Sequence, residues 1–141
     1  KDGKKKMSKS DPSDLSRVNL NDSKDVIINK IKKAKTDDKS MPQDNKNLNQ
    51  RPEVENLLGI YSSLADQKIE KTINEFSGKN FSEFKTKLSE MVVEKISPIS
   101  TEINKLQEDK EFIDKILRDG SEKANEIASK KIGELKKIVG F

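Results

Sequence analysis

Five consecutive residues near the start of the chain, Lys6-Met7-Ser8-Lys9-Ser10, combine two amines and two hydroxyls in a stretch that Gly3, the serines and Pro12 keep out of regular structure. Lysine carries a compact charge on a long stem, so two lysines three residues apart can follow phosphate oxygens as negative charge develops in a transition state. Ser8 and Ser10 add hydroxyl donors between and beyond them. The chemistry is that of a phosphate-handling loop. For Lys4, Lys5 and Lys6 taken alone, the plainer alternative is a solvated basic tail, the usual state of a charge run.

Other chemistries are excluded by composition. The 141 residues include no Cys and no His, so disulfides, thiolate or imidazole metal sites, and Ser/His/Asp or Cys/His catalytic groups have no members here. No apolar run reaches the length of a membrane span and no signal-peptide pattern is present, which fits a cytoplasmic protein. Of the net charge of +4, the first eleven residues supply +3 (five Lys against two Asp), leaving +1 for the other 130. Nucleic-acid binding by this body would depend on where its cations sit and not on bulk attraction. The chain begins at Lys1 and nothing precedes the loop to hold it against a nucleotide, which leads us to expect a fragment or a processed chain.

The elements that must position these groups read as helices. With 38% charged and 30% hydrophobic residues the core has to come from narrow apolar stripes, and the abundance of Lys, Glu, Ile and Leu favours an all-α fold. Residues 13–20 read as an extended connector. Asn21 or Asp22 is expected to cap a helix over 24–35 whose buried face holds Val26, Ile27, Ile31 and Ala34. Lys30, Lys32, Lys33 and Lys35 crowd its end, where the helix dipole favours cations, with phosphate binding as the alternative.

Residues 36–50 are so polar that they read as a linker or surface loop with almost nothing to bury. Arg51-Pro52 opens a central helix with Val54, Leu57, Leu58, Tyr61, Leu64 and Ala65 on its apolar face. A short helix over 68–76 stops at Gly78, and Asn80 or Ser82 starts the next. From Phe84 to Leu106 the stripe stays in phase across Pro98, which predicts one long helix of about 40 Å. A further short helix around Phe112–Leu117 is expected to end at Gly120, before a last one over 121–139. That last helix is read as a bundle helix with Ala124, Ile127, Ala128, Ile132, Leu135, Ile138 and Val139 inward and Lys123, Lys130, Lys131, Lys136 and Lys137 outward.

Lys6-Met7-Ser8-Lys9-Ser10 resembles the second signature of class I aminoacyl-tRNA synthetases, and the continuation Asp11-Pro12-Ser13-Asp14 looks like the bacterial tryptophanyl enzymes; tyrosine-specific relatives usually carry Phe-Gly in place of Met-Ser. The likeness continues through residues 30–37, through Arg51-Pro52-Glu53-Val54-Glu55-Asn56-Leu57-Leu58-Gly59-Ile60-Tyr61, through Gly120-Ser121-Glu122-Lys123-Ala124 and to Val139-Gly140-Phe141. It therefore covers essentially the whole chain in order.

The resemblance implies the C-terminal portion of a two-domain ligase that activates tryptophan with ATP and Mg2+ and transfers it to tRNA(Trp). Residues 1–20 would be the tail of an absent Rossmann-type catalytic domain, 21–36 a connecting helix, 37–50 a linker and 51–141 a helical anticodon-binding bundle. Lys6 and Lys9 would contact the ATP triphosphate, with Lys9 stabilising the departing pyrophosphate. Met7 would bring its backbone toward the adenine, and Ser8 and Ser10 would donate to phosphate or hold the loop. For the tRNA, Arg51, Arg118, Lys123, Lys130 and Lys131 are the candidate cations; ATP and tryptophan would bind through the absent domain, and the parent would be a homodimer.

The family's other signature, His-Ile-Gly-His, has no counterpart in a chain without His. Residues 1–141 alone are therefore expected to be inactive, with Lys6 to Ser10 a loose tail in front of the folded helices. An RNA-binding helical module without catalytic function and a purely structural bundle are the competing readings.

Overall fold

The structure, a computed structural model, describes residues 8 and 10–140. Regular structure among them is helical throughout: α1 (Lys24–Lys32), α2 (Pro52–Leu64), α3 (Ile69–Phe76), α4 (Phe81–Glu108) and α5 (Lys110–Val139), with short 3-10 turns at Asp14–Ser16 and Leu48–Gln50. This is the all-α class that the apolar stripes predict. Residues 1–101 and 102–141 form two compact units.

In the first unit α2 is central, as its wide apolar face implies. Val54, Leu57, Leu58 and Tyr61 of α2, Ile73 and Phe76 of α3, Phe84, Leu88, Val92 and Val93 of α4, and Ile27 and Ile31 of α1 share one core. Three rings from three helices meet within it. Phe76 stands edge-on to Tyr61 and to Phe84, with centroids 4.9 Å apart in each pair. Such edge-to-face pairs add about 0.5–1.5 kcal/mol beyond the area they bury.

Polar groups in this core are tied off. Ser62 Oγ donates to the Leu58 carbonyl at 2.7 Å, its hydroxyl lies 2.8 Å from that of Thr72, and Gln67 donates to Thr72 at 2.9 Å. Tyr61 places its hydroxyl at the edge, donating to Glu75 at 2.9 Å.

Local signals set most helix ends. Pro52 occupies the first turn of α2, where its missing N–H has no intrahelical partner to lose. Asn80 accepts from Glu83 N–H at 2.8 Å and so starts α4, while Asp109 accepts from Phe112 N–H at 3.0 Å and starts α5. Gly78 and Gly140 take positive φ, 73° and 86°, the left-handed conformation that ends a helix cleanly.

Four expectations are corrected. Residues 13–20 are not extended throughout: Asp14–Ser16 form a 3-10 turn between an extended Ser13 and an extended Arg17. α1 is capped by Ser23, which accepts from Val26 N–H, and it ends at Lys32; Asp22 is occupied instead by Asn19 N–H and Lys30. The polar segment 36–50 buries Met41 and Leu48 in the core, two isolated apolar residues with no periodicity to announce them. In addition, residues 110–139 are one helix. Gly120 does not stop it, because an in-helix glycine costs only about 1 kcal/mol relative to Ala and strong helix formers stand within three or four residues on each side, Leu117 and Arg118 before it and Glu122, Lys123 and Ala124 after it.

The apolar face of α5 also differs from its expected burial: no residue of α5 is buried, with Ile127 73% and Ile138 80% exposed. Its own unit offers only the last turns of α4, residues 102–108, to a helix about 45 Å long. Most of the stripe therefore has no apolar surface in that unit to meet.

Replacing Phe76 by Ala should cost about 3–5 kcal/mol in urea unfolding, because both edge-on ring pairs disappear and a cavity opens in the middle of the core. The phenol of Tyr61, the chain's single tyrosine, is pushed up to about 12, by burial first and then by its bond to Glu75. A phenol whose folded value lies above its unfolded value of about 10 adds stability that is whole below that value and vanishes as the pH climbs through the folded one. Tyrosinate absorbance should therefore titrate near 12 in the folded chain and near ~10 in urea.

Candidate functional site

Two of the five phosphate-loop residues, Ser8 and Ser10, are described; Lys6, Met7 and Lys9, with the expectation of a loose tail, lie outside the described residues. The hydroxyls of Ser8 and Ser10 are 3.1 Å apart. Asp11 N–H donates to the Ser8 carbonyl at 3.2 Å. The Asp11 carboxylate accepts from Ser13 N–H at 2.8 Å, the local Asx geometry that Asp before Pro favours. Pro12 supplies no donor, so the chain is steered by side chains here.

Beyond the turn an ionic network takes over. Arg17 donates through Nη1 to the Asp11 carbonyl at 3.2 Å and pairs through Nη2 with Asp14 at 3.2 Å. Asp14 also accepts from Asn19 at 3.0 Å and pairs with Lys30. Lys30 reaches Asp22 as well, at 2.6 Å, and only 4% of its side chain is exposed. Hydrogen bonds from Lys30 and then Asn19 hold the Asp14 carboxyl below its ordinary range. At Asp22 burial opposes ionisation, but the bonds from Lys30 and Asn19 prevail and lower its pKa. Burial likewise pulls Lys30 down, and its two carboxylate partners more than offset this, raising it. All three groups are charged at neutral pH.

The cluster read from sequence as cations for the dipole of α1 is thus divided. Lys30 serves as an ion-pair centre, and the carbonyls at the end of α1 are met from 51 and 53 residues away. Lys85 of α4 donates to the Ala34 carbonyl at 2.6 Å and to the Lys32 carbonyl at 3.3 Å, and burial lowers its pKa. Neither Lys85 nor the Lys30 network is signalled by any motif; Lys30 on the apolar side of α1, between Ile27 and Ile31, is the one trace in the sequence.

The candidate RNA-facing cations separate in the same way. Arg51 is engaged inside the fold: its guanidinium grips both oxygens of Asp37, at 2.6 and 2.7 Å, donates to the Ser40 carbonyl at 2.9 Å, and lies 5.8 Å from the centre of the Phe81 ring. That fork lowers the Asp37 pKa and fastens the 36–50 segment to the start of α2. Arg118, Lys123, Lys130 and Lys131 are all exposed on α5, with Lys131 2.9 Å from Glu134. Lys123 and Lys130, seven residues apart, share one face. Among the described residues no three His, Cys, Asp or Glu side chains gather as they would around a metal ion, and no helix is long and apolar enough to cross a membrane.

A family model described as tRNA synthetases class I (W and Y) matches residues 1–97. Tryptophan–tRNA ligases of Rhizobium meliloti and Agrobacterium fabrum are each 50% identical over all 141 residues, and that of Rickettsia felis is 48% identical. The chain spans 40–42% of the length of these relatives. A match over two thirds of the chain by the family model, and over all of it by these relatives, places the phosphate-loop residues and the helices behind them in one lineage: the chain belongs to the class I tRNA synthetases of the tryptophan and tyrosine group.

Proposed function

We propose that these residues are part of a tryptophan–tRNA ligase, supplying its ATP-phosphate loop and helices that hold tRNA(Trp). The observation that carries this is the match of all 141 residues to tryptophan–tRNA ligases at 50% identity, the loop residues included. In this reading the carboxylate of tryptophan attacks the α-phosphorus of ATP and pyrophosphate departs; the terminal ribose of the tRNA then accepts the aminoacyl group.

Lys6 and Lys9 contact the triphosphate, and Lys9 meets the charge that builds on the leaving pyrophosphate. The donor set suits such a ligand, since a hydroxyl pair bonded to itself, as Ser8 and Ser10 are, keeps one O–H to offer outward. Magnesium prefers phosphate oxygens and water to an all-protein cage, so ATP brings its ion with it. The nucleotide and tryptophan pockets belong to the length of the relatives that this chain does not span. The reading carries with it a homodimeric parent in the cytoplasm.

The tRNA contact is assigned to α5, whose Arg118, Lys123, Lys130 and Lys131 stand in solvent. Unstacked anticodon loops are recognised through base edges, stacking and phosphate contacts, and these cations suit the last of the three. Arg51, bound to Asp37, serves the fold.

A full-length protein containing these residues should catalyse tryptophan-dependent ATP–pyrophosphate exchange, with Lys9→Ala lowering kcat by about 10²–10³. The 141-residue piece should show no exchange, since it contains no His; exchange by the piece, or exchange with tyrosine in place of tryptophan, would contradict the reading. Reversing charge at Lys130 and Lys131 should weaken tRNA binding and reduce the slope of log K against log salt by about one for each phosphate left without its cation. An unchanged affinity and slope would remove α5 from the interface.

A further inference from the structure

Lys30 lies on the core-facing side of α1 beside Ile27 and Ile31, and its side chain is nearly inaccessible. Removing an ammonium from water is costly, and an apolar side chain of similar length would sit on that face at lower cost. What the charge provides there is a hold on other groups. Both of its partners, Asp14 and Asp22, lie in the segment that directly follows the phosphate loop.

We propose that Lys30 is a positioning residue for the phosphate loop, fixing through Asp14, Arg17 and Asp11 the backbone on which Ser8 and Ser10 are carried. The inference rests on the reading of Lys6 to Ser10 as the ATP-phosphate loop. Its path is continuous. Lys30 holds Asp14, Asp14 holds Arg17 at 3.2 Å, Arg17 holds the Asp11 carbonyl at 3.2 Å, and Asp11 N–H holds the Ser8 carbonyl at 3.2 Å. The far end is anchored as well. Lys85 fastens the end of α1, and Ser100 donates to the carbonyl of Leu20, so α4 grips both the helix and the segment.

A loop that meets a transition state must arrive within a fraction of an ångström, and a displacement of about 1 Å costs on the order of 10²-fold in rate. Two flexible lysines on an unsupported tail would not meet that demand. The network supplies the fixed end from which they reach.

The test uses the full-length enzyme. Asp14 is half-exposed, with 51% of its side chain accessible, and Lys30 keeps Asp22, so Asp14→Asn removes the charge that joins Lys30 to Arg17 at little cost to folding; Lys30→Met removes the centre. In ATP–pyrophosphate exchange, Asp14→Asn should lower kcat/KM for ATP about tenfold while the KM for tryptophan and the Tm stay near wild type, and Lys30→Met should show the same split with a lower Tm. Retention of kcat/KM for ATP within about twofold in Asp14→Asn, or a loss in both variants that follows only the fraction of folded protein, would overturn the proposal. Absence of tryptophan-dependent exchange in the wild-type enzyme would instead overturn the assignment of the loop, an outcome distinct from a variant effect.

Discussion

The burial of three rings, one from each of α2, α3 and α4, is the constraint on which the first unit depends. With so few apolar residues the chain cannot spread its core over several clusters, and Tyr61, Phe76 and Phe84 concentrate it where those helices meet. Phe76 meets the other two rings edge-on, and Tyr61 and Phe84 are tilted by 46° to each other. Around that point the small polar residues Ser62 and Thr72 allow α2 and α3 to come close, each satisfying the other's hydroxyl. α1 joins the same core through Ile27 and Ile31, and the network that reaches Asp14 and Asp22 starts from Lys30 of α1.

Charges inside this unit act as fasteners for irregular backbone. Lys30 binds the 11–22 segment, Lys85 the end of α1, and Arg51 the 36–50 segment through Asp37 and Ser40. Segments of this kind carry no ladder of backbone hydrogen bonds, so a cation that meets carbonyls and carboxylates together can hold them in one conformation. At Lys30 two carboxylates outweigh the desolvation, whereas Lys85, which meets only carbonyls, has its pKa lowered by burial. The consequence is placement: the segment over 11–22 is tied through Asp14 and Asp22 to Lys30 of α1.

α5 follows different rules. Its charges face solvent and its apolar stripe, from Phe112 to Val139, is exposed. Helix propensity, an Asp109 cap and a left-handed Gly140 are enough to define it from end to end. Amphipathic periodicity declares that a helix has an apolar side; it does not specify what covers that side. The stripe that reads as an inward face in the sequence is therefore an accurate account of the helix, and its own unit supplies only residues 102–108 of α4 to meet it.

The amino-acid sequence by itself determined the helical class, the positions of α2, α3 and α4 to within a residue or two, and the helix continued through Pro98. All of these are written in short-range terms: spacing of apolar residues, caps, and the types of neighbouring side chains. Only the tertiary structure decided that Met41 and Leu48 belong to the core, that Arg51 turns inward to Asp37, that Lys85 completes α1, and that Lys30 joins Asp14 to Asp22. Each of these joins residues far apart in sequence, and a single lysine or methionine carries no local sign of its partner. Whether a given charge faces water or a carboxylate is settled by packing, and packing is a property of the folded chain.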